Sequence, residues 1–224
     1  MQIFMDGTAT RNYAPDQISI SIRIEYKAYR EEEALRSGVN KVADCINTIM
    51  SAADFSREEI KTRAYSIHEV IHRNYRTNEN ISDGYEFSQY MSLVFDYNHE
   101  RLARVLVACS RLKVMPNLNI RFGLKDIDAC SRELIADAYN DAKLKAEALA
   151  NAAGKHLRDC VRVDIDFSDN RGGYRGDIMA KAARNSDADE DTNFMDEVRK
   201  IDENFRPDDI KVTKTIKCVW ETSD

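Results

Sequence analysis

Residues 68–72 read His-Glu-Val-Ile-His, a spacing that on a helix carries a specific chemistry. Two imidazoles one turn apart hold a zinc ion, and the glutamate beside the first activates a water for hydrolysis. His68 and His72 would be the ligands and Glu69 the base of a zinc-dependent hydrolase. The chemistry depends on the backbone that delivers it. Four residues apart on a helix, Cβ atoms lie about 6 Å from one another. On a strand, at ~3.3 Å per residue, the separation is about 13 Å and one ion cannot be shared.

The segment itself suits either form: Ile67, Val70, Ile71 and Asn74 fit a helix, and Tyr65, Ile67, Ile71 and Tyr75 fit a strand. Its surroundings favour the strand. Arg73 stands where a buried zinc-binding helix needs an uncharged residue, and Tyr75 and Asn78 replace the glycine and histidine of the longer zinc signature. Glu100 is the third ligand such a site would have to borrow, and His99 and His156 lie in no metal-like cluster. The expectation is therefore no catalytic, cofactor-binding or metal-ligating residue, no cofactor, and no enzyme, with the hydrolase as the alternative.

Other sources of chemistry are weaker. The chain has no Gly-x-Ser-x-Gly and no phosphate-binding loop, and the RGGYRG of 171–176 lacks the strand and helix that such a loop requires. Glu31–Glu33 and Asp187–Asp191 read as solvated charge. Cysteines 45, 109, 130, 160 and 218 show no Cys-x-x-Cys spacing; Cys45 and Cys109 fall in helical patterns and Cys218 on the apolar side of a strand, as small buried hydrophobes of a reducing compartment do. A net charge of −6 argues against nucleic acid as a partner, which needs a basic stripe.

The elements follow from periodicity. DQISISIRIEYK (16–27) alternates, with Ile18, Ile20, Ile22, Ile24 and Tyr26 on one face. QIFMDGTAT before it reads as a first strand, with Pro15 at the turn. Residues 31–53 change to a helical period, with Leu35, Val39, Val42, Ile46 and Ile49 as the apolar stripe. GYEFSQYMSLVFDY (84–97) is a strand whose inner face carries Tyr85, Phe87, Met91, Leu93, Phe95 and Tyr97, and NENISDG turns the chain into it from 61–77. Asn98 caps a short helix with Leu102, Val105, Leu106 and Cys109. A strand at 117–124 precedes a second long helix that buries Ala138, Ala142, Ala146 and Ala153 and ends at Gly154. Residues 158–167 and 209–221 read as strands. Between them 168–207 is a polar, acidic excursion, expected to be extended and partly mobile, with a helical turn or two in FMDEVRKI. The fold expected is α+β, an antiparallel sheet covered on one face by two long helices and a short one.

Three stretches together resemble the SIMPL (DUF541) family. GTATRNYAPDQISISIRIE resembles its opening, with Pro15-Asp16 leading into the alternating strand. GYEFSQYMSLVFDYNHERLARVLVAC resembles its central strand and short helix, beginning at Gly84-Tyr85. RFGLKD and the alanine-rich helix closing on Ala152-Ala153-Gly154 resemble its Phe-Gly-Leu strand end, here Phe122-Gly123-Leu124, and the helix after it. The resemblance implies one SIMPL-like domain over 1–224 and a non-enzymatic role. Bacterial members are typically periplasmic or envelope proteins, some linked to oxidative stress, and one outer-membrane antigen assembles into a channel-like oligomer. Vertebrate members bind a Pelle-like kinase. The mode of action expected is self-association into a homo-oligomer or binding to a protein partner, in envelope or stress-related physiology, with the terminal strand 210–221 offering a free edge for pairing. No apolar run approaches the ~20 residues of a membrane span. The opening MQIFMDGTATRNY has no secretory pattern, so the expected location is cytoplasmic as the sequence stands, and periplasmic or envelope if a leader has been removed.

Overall fold

The structure is a computed structural model and describes residues 1–76, 78–165, 178–179, 194–204 and 206–223. In chain order the elements are β1 (Gln2–Tyr13), β2 (Gln17–Ala28), α1 (Glu31–Ala53), β3 (Ile60–Arg73), β4 (Asn80–Asp96), α2 (His99–Ser110), β5 (Asn117–Gly123), α3 (Ile127–Ala152), β6 (His156–Ile165), β7 (Ile178–Met179), α4 (Phe194–Asn204) and β8 (Ile210–Ser223). The expected α+β class with antiparallel pairing is what the chain adopts. Its strands divide between two sheets, and each sheet has its own long helix. The chain accordingly forms two compact units.

One unit draws on 1–16, 123–165 and 208–223. Its sheet runs β1-β8-β6, so the terminal strand β8 lies in the middle. The edge expected at 210–221 is thus taken: β1 pairs with it from Gln2↔Glu221 to Tyr13↔Ile210, and β6 pairs with its other side. The helix α3 lies on one face of this sheet and buries Leu134, Ala138, Ala142, Ala146 and Ala150. Steps of four residues carry the stripe to Ala150, and Ala153, expected inside, is the exposed C-cap. Gly7 explains the need for alanine. A Cβ there would collide with the carbonyl oxygen of Ala138 and with Ala142, so helix and strand are in backbone contact. Trp220, Ile216, Cys218 and Ile3 fill the rest of this core. At the helix end, Gly154 takes φ +67° and Lys155 N–H reaches the Ala150 carbonyl at 2.9 Å, closing the C-terminus as a Schellman turn.

The second unit holds a sheet of order β3-β4-β2-β5-β7. β2 and β4 pair with Ile18, Ile20 and Ile22 opposite Phe95, Leu93 and Met91, and all six side chains are buried. Each buried isoleucine contributes roughly 1.5–3 kcal/mol. α1 covers this face with Ala34, Gly38, Val42, Cys45, Ile46, Ile49 and Ala53. Two members of the expected stripe, Leu35 and Val39, are exposed instead. Gly38 is the cause: its Cα faces the Phe87 ring where a Cβ would clash, so α1 turns its small side to the sheet and swings 35 and 39 outward.

α2 packs against α1, and Arg101 locks the pair. Its Nε donates to the Ala53 carbonyl at 2.9 Å and Nη2 to that of Asp54 at 2.6 Å, at the C-terminus of α1 where carbonyls lack helical partners. Asp54 is left-handed, φ +52°. The guanidinium also lies 3.6 Å from the Phe55 ring centroid. Nearby, the Ser56 backbone N–H bonds Glu59 at 2.8 Å and holds its carboxyl below the usual range. Asn98 caps α2 as expected, accepting from Arg101 N–H at 2.9 Å. α4 adds Val198 to a small cluster with Ala103 and Val107. Of the expected excursion 168–207, only β7, α4 and 206–207 fall among the described residues; the extended, partly mobile reading of 168–177 and 180–193 lies outside them.

Two substitutions test this packing. Gly38→Ala should destabilise the protein by about 1–3 kcal/mol, since the Phe87 ring must move to admit one methyl. Arg101→Ala should cost about 2–3 kcal/mol by stranding the last carbonyls of α1. Urea midpoints report both; an unchanged midpoint in either variant contradicts the corresponding contact.

Candidate functional site

The HEVIH segment lies on β3, a strand paired residue by residue with β4: His68 faces Glu86, Glu69 faces Tyr85 and His72 faces Ile81. His68, Glu69 and His72 are all exposed. At strand rise, His68 and His72 are about 13 Å apart. His72 Nδ1 instead meets Asp83 Oδ2 at 2.7 Å across the hairpin. Among the described residues, no group of three or more His, Cys, Asp and Glu side chains is arranged to hold a metal ion.

The hairpin has two irregularities. Thr62 faces Met91 but Ala64 faces Tyr90, so Arg63 is an extra residue on β3. Glu69 faces Tyr85 but Ile71 faces Ser82, so β4 carries an extra residue at Asp83-Gly84. Gly84, at φ +89°, supplies the conformation this second bulge needs. Between and beyond the bulges, 64–73 is a continuous strand.

This strand is the edge of its sheet among the described residues. β2 accompanies β4 only as far as Ala28↔Tyr85. Beyond that level, 70–73 and 80–84 form a two-stranded ribbon with no third strand among the described residues. Apolar groups stand in solvent along β3 and just past its end: Ile71 on the ribbon is 54% exposed, Tyr65 66% and Tyr75 96%. Fourteen residues is long for an edge strand, which natural sheets usually shorten or cover.

A concavity of about 410 Å³ lies between Lys41, Asp44, Asn47 and Thr48 of α1 and residues 111–114 following α2. Its walls are mixed charge. Arg111 is engaged with Glu197 at 3.0 Å and Lys41 lies 4.8 Å from the Tyr26 ring centroid.

The cysteines are better organised than their spacing suggests. All five are free thiols. Cys45 and Cys109 lie side by side in the core of one unit. Cys160 and Cys218 approach each other across β6 and β8 in the other, where burial, with Cys160 beside it, pushes the Cys218 thiol up to about 11. Sequence spacing could not reveal either pair, because each joins segments more than fifty residues apart. The signal that could have found the first is helix register, with two buried cysteines on helices that must pack antiparallel.

An antiparallel α+β protein built around an alternating strand, a Gly-Tyr strand and an alanine-rich helix is the class this architecture defines. The chain belongs to the SIMPL family (Protein of unknown function, DUF541), which it matches over residues 3–220. A comparison with curated proteins finds no match. No described helix is long and apolar enough to cross a membrane.

The strand geometry makes a direct prediction for metal. Native mass spectrometry with one equivalent of zinc should give the metal-free mass, since His68 and His72 stand about 13 Å apart on the strand. A stoichiometric zinc adduct that His68→Ala removes would restore the hydrolase reading.

Proposed function

We propose that this SIMPL-family chain works without catalysing a reaction, by pairing its β3 edge with the same edge of a second copy. The observation that carries this reading is the uncovered ribbon of the hairpin, with a long free edge and exposed apolar groups. Two edges related by a two-fold axis pair antiparallel, and each residue meets one of the same parity on the other chain. Centred on Ile71, the pairing sets Ile71 against Ile71 of the second copy. It also sets Glu69 opposite Arg73 of the second copy, twice by symmetry. The sequence E-V-I-H-R is thus charge-complementary to itself in reverse. The arrangement gives HEVIH a use that requires a strand.

Cross-strand ion pairs contribute up to about 1 kcal/mol each, and like charges opposite one another cost a similar amount. Charge reversal is therefore the test. In native mass spectra at tens of micromolar, the protein should be an even-numbered oligomer, Glu69→Arg should shift it towards monomer, and Glu69→Arg with Arg73→Glu should restore it. A monomeric parent protein, or an oligomer indifferent to both changes, overturns the reading. A monomer that instead captures a different protein through the same edge would make that protein the partner.

A further inference from the structure

The α1–α2 register places two thiols opposite one another. Arg101 fixes the start of α2 against Ala53 at the end of α1 through its 2.9 Å bond to that carbonyl. The helices run antiparallel from this point. Eight residues back along α1 is Cys45, and eight residues forward along α2 is Cys109. At ~1.5 Å per residue both lie about 12 Å from the anchor, at one level. Both are 0% exposed, both belong to the same core cluster, and their thiols lie side by side. Packed helix axes ~8–10 Å apart leave about 3.5–5.5 Å between facing Cα atoms, which overlaps the span a disulfide bridges.

We propose that Cys45 and Cys109 form a reversible disulfide that clamps α1 to α2 when the protein meets a hydroperoxide. The two helices supply opposite walls of the 410 Å³ cleft, Lys41, Asp44, Asn47 and Thr48 on one side and the segment leaving α2 on the other. The cross-link fixes their spacing immediately beside it. One of the two sulfurs attacks the peroxide O–O bond, giving a sulfenic acid and water. The other sulfur then displaces the sulfenic oxygen as a second water while the S–S bond forms. Two thiols lose two protons and two electrons, and one hydrogen peroxide is reduced to two waters. Because both sulfurs are buried, the reaction proceeds through local opening of the helix pair and favours a small oxidant.

The test is peroxide treatment of the intact protein, followed by non-reducing peptide mapping and thermal melting. The expected result is a peptide linking Cys45 to Cys109 and a Tm higher by about 5–10 °C, both reversed by dithiothreitol. Cys130→Ala should keep the link and the Tm gain, and Cys109→Ala should lose both. The mapping of the parent protein stands on its own if Cys109→Ala fails to fold. Peroxide that leaves Cys45 and Cys109 as free thiols while oxidising Cys130 or Cys160 overturns the proposal. So does a map in which either core cysteine is linked to a different partner.

Discussion

The constraint on which the packing rests is the distance between a long helix and the sheet beneath it, and in both units a missing side chain sets it. Gly7 lets β1 touch the backbone of α3 at Ala138 and Ala142, and Gly38 lets α1 touch the ring of Phe87. The remaining choices of residue are consequences. Where the contact is backbone on backbone, the facing helix stripe must be alanine, and α3 presents Ala138, Ala142, Ala146 and Ala150 in steps of four. Where the contact is a helix on an aromatic ring, the stripe can carry larger groups on either side of the glycine, and α1 uses Val42, Ile46 and Ile49. Interiors are packed to crystal density, so a helix seated this closely fixes the rotation of every side chain along it. Leu35 and Val39 lie outside for that reason, although their hydrophobicity alone would place them inside.

Rotation of α1 then decides what α2 meets. With Val42, Cys45, Ile46 and Ile49 turned inward, α2 lies over them through Leu102, Val105 and Cys109 in one cluster. Sliding along the axis is prevented by polar contacts. Arg101 satisfies carbonyls that the end of α1 leaves open, and charged hydrogen bonds of this kind are worth more than neutral ones. Apolar contact gives the helix pair its stability, and one arginine gives it its register. The thiol contact is a consequence of that register, since a shift of one turn would part the sulfurs by about 5 Å.

Much of the secondary structure was legible in the sequence because the governing signals are local. Alternation at Ile18, Ile20, Ile22 and Ile24 marks β2 without reference to anything else, and Asn98 and Gly154 mark helix ends through side-chain and backbone chemistry confined to a few residues. HEVIH was readable as strand by its neighbours, Arg73 and the turn residues of 78–84, more than by its own letters, although β4 begins already at Asn80 and the chain turns before it. What was not legible depends on partners distant in the chain. Nothing local says that β8 lies between β1 and β6, which removes the free edge a terminal strand suggests. Nothing local says that Gly38 faces Phe87, and so the stripe of α1 was displaced by one position at its N-terminal half. Cys45 and Cys109 read as separate small hydrophobes until the register of two helices brings them together.

The same distinction between local and distant causes bears on the hairpin. A long free edge invites unspecific pairing, and natural sheets resist it with bulges and charge. β3 has such a device at one end only. The extra residue at Arg63 interrupts the edge near the core of the sheet, and Arg63 itself is turned inward to Ser92, its Nε donating to that hydroxyl at 2.7 Å. The other bulge lies on β4 at Gly84, so it bends the ribbon without breaking the outer edge of β3. Pairing is thereby discouraged along the half that rests on the sheet and left open along the half that extends past it. At and beyond the start of that half, Glu69 and Arg73 flank Ile71, which favours a strand of complementary charge order. Under the proposed self-pairing, the bulged half would be the guarded part of this edge and the charge-patterned half the part that recognises the second copy.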